Sequence, residues 1–286
     1  MTIWHILLIA AGLGITAAAV CKKPSSVYRN RPDEQNPFEG KTVRFIADDQ
    51  DPVNADGVRG HLEVTGTARH TPSFYEKYLK RGMDMLFSLL GLVVLSPLFI
   101  LLMLAIRIDD PGPAVFSQRR VGKNKRFFAL HKFRSMKMSA PHDVPTHMLA
   151  HPEQYITGVG RFMRRFSLDE LPQLWDVLLG NMSLVGPRPA LWNQDTLTAE
   201  RDKWNANDIL PGLTGWAQVN GRDELGIQEK AKLDGEYRRN LTFKMDVTCF
   251  LMTIANVLKG CGIVEGGTGA IARHIDRRRL EIEAKK

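Results

Sequence analysis

The sequence predicts a helix-rich α+β protein held on one face of a membrane, on three observations. Residues 85–106, MLFSLLGLVVLSPLFILLMLAI, carry no charge, are flanked by basic residues at both ends and contain Ser96-Pro97 near the middle. The stretch that follows partly alternates apolar and polar residues around Gly122 and Asn124, the pattern of a small β-hairpin. Apolar stripes at helical spacing recur further on, at Leu171, Leu174, Trp175, Leu178 and Leu179, and again at Val247, Phe250, Leu251, Ile254, Val257 and Leu258.

In chain order, residues 3–20, IWHILLIAAGLGITAAAV, come first. Eighteen residues is near the lower limit for crossing a bilayer. A secretory signal would carry basic residues ahead of the run, whereas Lys22 and Lys23 follow it. Gly12-x-Gly14-x-x-Ala17 imitates a dinucleotide fingerprint, but no second strand leads to an acidic residue about twenty positions on. An N-terminal membrane anchor helix over 1–22 fits best, and the lysines behind it keep the rest of the chain on the cytoplasmic side. Residues 23–72 read as a linker, with TVRFIADD and HLEVTGTA as short strands at most, and nothing in it suggests chemistry.

Thr71-Pro72-Ser73 with Glu76 offers a helix start ahead of the second apolar run. A straight helix of that run would be about 33 Å long, enough to span. Its flanks object: Lys77, Lys80 and Arg81 precede it, while Arg107, Arg119, Arg120, Lys123, Lys125 and Arg126 follow. Two basic ends belong on one side of a membrane, which requires the segment to turn back. Pro97 supplies the kink, since it lacks an amide and clashes with the carbonyl four residues earlier, and the Ser96 hydroxyl can satisfy that carbonyl. A re-entrant helix over 77–107 is therefore favoured over a spanning one, each limb crossing about half a bilayer.

Composition narrows the functional classes. The chain is 44% hydrophobic and 24% charged, with a formal net charge of +8. From Lys77 to Lys137 twelve basic residues meet three acids, so this block holds more than the whole excess. Such a block seeks phosphate: nucleic acid, anionic lipid or a phosphorylated small substrate. Cys21, Cys249 and Cys261 have no C-x-x-C spacing, which points to a reducing compartment without a zinc site. His142, His147 and His151 lack partner ligands and read as solvated loop residues.

In AVFSQRRVGKNKRFFALHKFRSM the basic positions include Arg119, Arg120, Lys132 and Arg134. The neighbouring membrane segment makes phosphorylated lipid or nucleotide the better partner than nucleic acid. FSLDELPQLWDVLLGNMSLVGPRP, residues 166–189, then sets Asp169 beside Glu170. Ser167-x-x-Glu170 is a capping-box spacing, so Glu170 can be a cap and Asp169 a residue that merely suits the helix dipole. Pro172 suggests that the cap lies a residue or two later. The alternative uses the same physics: a carboxylate at a helix start, its pKa lowered by the dipole and by Arg164 and Arg165, can attack phosphorus. Glu170 can hold magnesium, and Arg188, braced by Pro187 and Pro189, can clamp a phosphate.

Several long segments in one order, KRGMDMLFSLLGLVVLSPLFILLMLAIRIDDPGPAVFSQRRVG, HKFRSMKM, RRFSLDELPQLWDVLLGNMSLVGPRP and LPGLTGWAQVNGR, resemble the bacterial sugar transferase family. These are the monotopic polyprenyl-phosphate phosphoglycosyl transferases, and the likeness covers about residues 74–260. The resemblance implies a membrane-dipping helix broken at Ser96-Pro97 and a catalytic dyad at Asp169 and Glu170. It implies that Asp169 captures a sugar phosphate from a nucleotide sugar, that Glu170 helps bind Mg2+, and that a polyprenyl phosphate then takes the sugar phosphate. It places the family's phosphate-binding cations on Lys132, Arg134, Arg164 and Arg188. The expected reaction partners are a UDP-sugar, undecaprenyl phosphate and membrane lipids, at the cytoplasmic face of the bacterial inner membrane. A non-catalytic adaptor that reads anionic lipid is the rival reading.

The expected organisation is an anchor over 1–22, a linker over 23–72, the transferase domain over 73–260 and a charged tail over 261–286. The N-terminus departs from the family, which leaves residues 1–72 between retention and a homodimer contact. The stripe at 247–258 is expected to pack into the core, with lying on the membrane surface as its alternative.

Overall fold

The computed structural model describes residues 35–68, 70–140, 152–221 and 225–259. The anchor expected over 1–22, the start of the linker, His142, His147, His151 and the tail expected over 261–286 lie outside the described residues. What is described mixes helix and strand, as an α+β chain should, and its strands pair two by two.

The apolar run folds as two helices. The first, α1 (Tyr75–Val94), starts behind Ser73, whose hydroxyl accepts from the Glu76 amide at 3.2 Å. Its opening residues, Tyr75–Lys80, are wound as a π-helix. α1 stops where Pro97 has no amide to offer the Val93 carbonyl, and the Ser96 hydroxyl donates to that carbonyl at 2.8 Å. The second helix, α2 (Ser96–Asp109), leaves at a bend of 61°. No single helix among the described residues is long and apolar enough to cross a membrane; the bent pair passes only as a pair.

The two helices have two faces. Inward, Leu92, Phe99, Leu102, Met103 and Ile106 pack with Phe133, Met163 and Leu174, with Phe99 meeting Phe133 edge-on at 5.5 Å between ring centres. Each such side chain contributes about 1.5–3 kcal/mol on burial. Outward, Leu86, Leu90, Val94, Leu101, Leu104 and Ile108 are exposed, an apolar surface that water does not favour.

After α2, β3 (Val115–Val121) pairs antiparallel with β4 (Phe127–Phe133), as the alternation predicts. Their turn holds Asn124 and Lys125 at φ 54° and 64°. The segment read as a linker carries β1 (Lys41–Ala47) and β2 (Gly60–Thr67), an antiparallel ladder. This ladder is fastened to α5 (Asp195–Asp202), since the Val43 amide donates to Asp202 at 2.7 Å. Asp202 also receives the buried ammonium of Lys125 at 2.9 Å and the Asn207 amide at 2.6 Å.

Between these lie α3 (Gly158–Arg165), α4 (Gln173–Leu179) and β5 (Ser183–Val185). Beyond α5, β6 (Gly212–Thr214) pairs parallel with β5, followed by α6 (Trp216–Val219), α7 (Ile227–Arg239) and α8 (Phe243–Lys259). Asp246 of α8 is the meeting point of Lys80, Tyr75 and Tyr237, at 2.7, 2.7 and 2.6 Å.

That anchorage decides which side of α8 is buried. Asp246 and Cys249 face in, whereas Val247, Phe250, Leu251, Ile254 and Leu258 are exposed. Core packing, the use expected for this stripe, is therefore corrected: the polar Asp246 side takes the interior because it closes a network of buried donors.

Candidate active site

The site is built where α3 hands over to α4. Thr157 caps α3, its hydroxyl accepting from the Gly160 amide at 3.0 Å. The chain then turns through Ser167, at φ 54°, into a single 3-10 turn over Leu168–Glu170. Pro172 lacks an amide, so α4 begins only at Gln173. The capping box does not form: the Glu170 amide meets the Ser167 backbone carbonyl at 3.2 Å, and the Ser167 side chain makes no cap bond. Gly180, at φ 89°, ends α4, and Arg81 donates to the last carbonyls of Val177 and Leu178 at 2.7 and 3.0 Å.

Glu170 is thereby released for another purpose. Its Oε1 accepts from Lys132 Nζ at 2.8 Å and from Arg188 Nη2 at 2.6 Å, while Arg188 Nη1 lies 3.3 Å from Oε2. Lys132 comes from β4, and α4 is pinned to that strand by Asp176. The Asp176 carboxylate accepts from the His131 amide at 2.9 Å and lies 2.8 Å from its Nδ1. Arg188 comes from the loop after β5, which is tied to β3 by the Val121 amide on the Ala190 carbonyl at 2.9 Å.

Asp169 is buried beside this pair, at 8% exposure. Burial pushes its carboxyl above the usual carboxylate range; Lys132, Arg164 and Arg188 pull it down, and the Glu170 charge pushes it up. The lowered pKa expected from a helix dipole with Arg164 and Arg165 is thus reversed. A 3-10 turn has little dipole to lend, and desolvation outweighs the cations. Arg165 is not among the groups that weigh most in that balance; it lies over the Phe166 ring, 5.7 Å from its centre.

Asp169, Glu170, Lys132, Arg164 and Arg188 are thus gathered in one place, Arg164 also donating to the Ser135 hydroxyl at 2.9 Å. Arg134 is not among them. Its guanidinium is held by Asp110, at 2.6 Å to the carboxylate and by a further bond to the backbone carbonyl, which clamps the end of α2. Ser96 and Pro97 stand at the helix bend, as expected.

One further cation belongs to the group. Arg120 donates to the Pro189 carbonyl at 3.1 Å and to Gln118 Oε1 at 2.8 Å, and it feels both Arg188 and Glu170. Burial, then Arg188, push its pKa down to about 9, with Glu170 opposing. It carries charge at neutral pH regardless. The period of two along β3 separates Arg120, which pairs with Phe128 on the face shared with Lys132, from Arg119. That signal was available in the sequence.

Adjacent carboxylates among cations are a donor set of the hard oxygen type that magnesium takes, usually with waters and substrate phosphates completing its shell. Glu170, whose oxygens meet Lys132 and Arg188 here, is the carboxylate that would help hold such an ion. Just before the pair in the chain, Phe162 and Phe166 are exposed, with ring centres 5.1 Å apart.

Residues 75–260 match the family model described as "Bacterial sugar transferase". The chain is 38% identical over 205 residues to the undecaprenyl-phosphate glucose phosphotransferase of Komagataeibacter xylinus, covering 68% of this chain and 38% of that one. It is 35% identical over 211 residues to the UDP-N-acetylgalactosamine-undecaprenyl-phosphate N-acetylgalactosaminephosphotransferase of Aeromonas hydrophila, covering 71% and 49%. It is 36% identical over 185 residues to the uncharacterized sugar transferase EpsL of Bacillus subtilis, covering 65% and 90%. The first two alignments thus span less than half of each relative's length. The match over two-thirds of the sequence, on the segment that carries both the bent helix and the carboxylate pair, means that this chain belongs to the bacterial sugar transferase family.

Proposed function

We propose that the protein moves a sugar 1-phosphate from a UDP-sugar to undecaprenyl phosphate, giving undecaprenyl-diphosphate-sugar and UMP. The observation that carries this reading is the convergence of Lys132, Arg164 and Arg188 on two buried carboxylates, a few residues from an exposed apolar face. The names of the relatives support the substrate classes.

In the first step an Asp169 oxygen attacks the sugar-bearing phosphorus. The bond from that phosphorus to the bridging oxygen breaks, and UMP leaves with the electron pair. An aspartyl phosphosugar remains on the protein. In the second step a phosphate oxygen of undecaprenyl phosphate attacks the same phosphorus, and the Asp169 carboxylate departs as it arrived. Arg188 and Lys132, held beside Asp169 by Glu170, would turn to the phosphate oxygens, where fixed cations stabilise the charge that builds in each transition state. Glu170 keeps those two cations in position until the substrate arrives. Magnesium, held with the help of Glu170, would offset the negative charge of the diphosphate.

The bent pair α1–α2 dips into one leaflet in this reading, and the exposed side chains of α3 and α8 rest on the same surface. A monotopic attachment brings the lipid phosphate to Asp169 without carrying it through the protein. The reaction would begin assembly of a surface polysaccharide. Purified protein given undecaprenyl phosphate and a panel of UDP-sugars should release UMP with at least one of them. No release with any sugar would leave only a membrane-surface adaptor.

A further inference from the structure

The loop that carries Arg188 is held from two directions. From β3, Arg120 donates to the Pro189 carbonyl at 3.1 Å and the Val121 amide to the Ala190 carbonyl at 2.9 Å. That pairing leaves the amide of Leu191, a residue 1% exposed, to Gln194 Oε1 at 2.8 Å. A buried amide requires such an acceptor, so the place of the Gln194 side chain decides how the chain closes three residues after Arg188.

The Gln194 side chain can offer either its oxygen or its NH2 group, and Asp56 makes the choice. Asp56 Oδ1 accepts from Gln194 Nε2 at 3.1 Å, and its Oδ2 accepts from the Leu197 amide in the first turn of α5, also at 3.1 Å. With both carboxylate oxygens accepting, the NH2 of Gln194 is drawn to Asp56 and its oxygen is turned to Leu191. Asp56 thereby also supplies α5 with the side-chain cap that Gln194, at the N-cap position, does not make. Its charge is felt at the next residue too: after burial, Asp56 pushes the Asp195 carboxyl up to about 6.

Asp56 lies between β1 and β2, ahead of residue 75, where the family match begins. Its neighbours seat it. The Ala55 amide donates to the Asn193 carbonyl at 2.9 Å, and the Asn54 side chain donates to the Thr196 hydroxyl at 3.3 Å. Asn54 Oδ1 closes the turn itself, accepting from the Asp56 and Val58 amides at 3.0 Å each.

We propose that Asp56 is a positioning residue for the transfer, acting through Gln194 and the Leu191 amide on the loop of Arg188. The relay puts the phosphate clamp under the control of a segment outside the matched family region. The inference rests on the reaction proposed above, in which Arg188 meets the substrate phosphate. A loop that is ordered in advance loses less freedom when substrate binds, so breaking the relay weakens binding and spares the chemical steps.

The test is steady-state UMP release by the full chain in lipid nanodiscs, with melting temperatures beside it. Asp56→Asn sets an amide against the Gln194 amide, and Gln194→Glu sets a carboxylate against Asp56. Each should raise KM for the UDP-sugar about three- to tenfold and leave kcat within about twofold. Asp56→Asn combined with Gln194→Glu exchanges the two groups. The bond between them reverses direction, while the Leu191 and Leu197 amides each keep an oxygen to meet, so KM should return to within about twofold of the parent. Arg44→Ala, on the same ladder but off the relay, removes only an exposed pair with Glu63 and should change neither constant. Parental KM in both single variants would overturn the inference, as would a double variant no better than the worse single one. A KM shift in Arg44→Ala as large as in the relay variants, or lower melting temperatures with KM unmoved, would reduce Asp56 to a structural role and overturn it too. A parent that releases no UMP from any UDP-sugar would end the proposed reaction itself and this inference with it.

Discussion

Asp169 and Glu170 are adjacent in sequence and divide the labour by environment. Glu170 takes the hydrogen bonds of Lys132 and Arg188, while Asp169 sits beside them, raised by burial. Asp169→Asn should therefore abolish UMP release while membrane sedimentation stays unchanged. Arg188→Lys keeps the charge but loses the fork, and should lower kcat/KM by about 100-fold. Arg120 holds the Pro189 carbonyl, next in the chain to Arg188, so Arg120→Lys should raise KM for the nucleotide sugar more than it lowers kcat, as steady-state kinetics would show. Asp195 gives a pH prediction. Its folded pKa, about 6, lies above the ordinary aspartate value of 3.8. The folded state therefore keeps a proton that the unfolded chain has released, and stability falls as pH rises from about 4 to about 6. Asp195→Asn should be the more stable protein at pH 7, by about 1–2 kcal/mol after allowance for partial exposure, and no more stable than the parent at pH 4. Denaturant melts at the two pH values check it.

At the scale of elements, Pro97 and Ser96 made the helix break legible, because the missing amide and the hydroxyl that replaces it are both local. The β3–β4 hairpin was legible for the same reason, through period and turn residues. Two features were not. The capping box had the right spacing, yet Pro172 three residues after Asp169 forced a 3-10 turn and freed Glu170 for Lys132 and Arg188, partners 38 and 18 residues away. The stripe on α8 had a helical period, but period alone does not say which side faces in; Asp246 decided that through Tyr75, Lys80 and Tyr237. Replacing Phe250 and Leu251 together by serine should lower binding to anionic vesicles several-fold and leave the melting temperature within a degree or two of the parent. A large drop in melting temperature would mean that the two side chains are core after all.

For the molecule as a whole, the fastening of residues 35–68 to the transferase body has one buried ion pair at its centre, Lys125 with Asp202. The Asn36 amide donates to the Lys125 carbonyl at 2.7 Å, and Val43 to Asp202 itself, so the start of the segment and β1 both close on it. Lys125→Met should cost about 3–5 kcal/mol, because it strands a buried carboxylate, and Lys125→Met with Asp202→Leu should recover part of that loss in urea melts. None of this was readable from a segment whose alternation suggested only short strands; the partners lie 77 and 159 residues apart in the chain. The central claim, a phosphosugar carried on Asp169, is tested most directly by intact-protein and peptide mass spectrometry after incubation with a UDP-sugar and magnesium, with the lipid acceptor withheld. The account predicts one phosphosugar adduct on the peptide that contains Asp169, with one UMP released per protein. Steady UMP release without any adduct, or an unaltered adduct in Asp169→Asn, would contradict it.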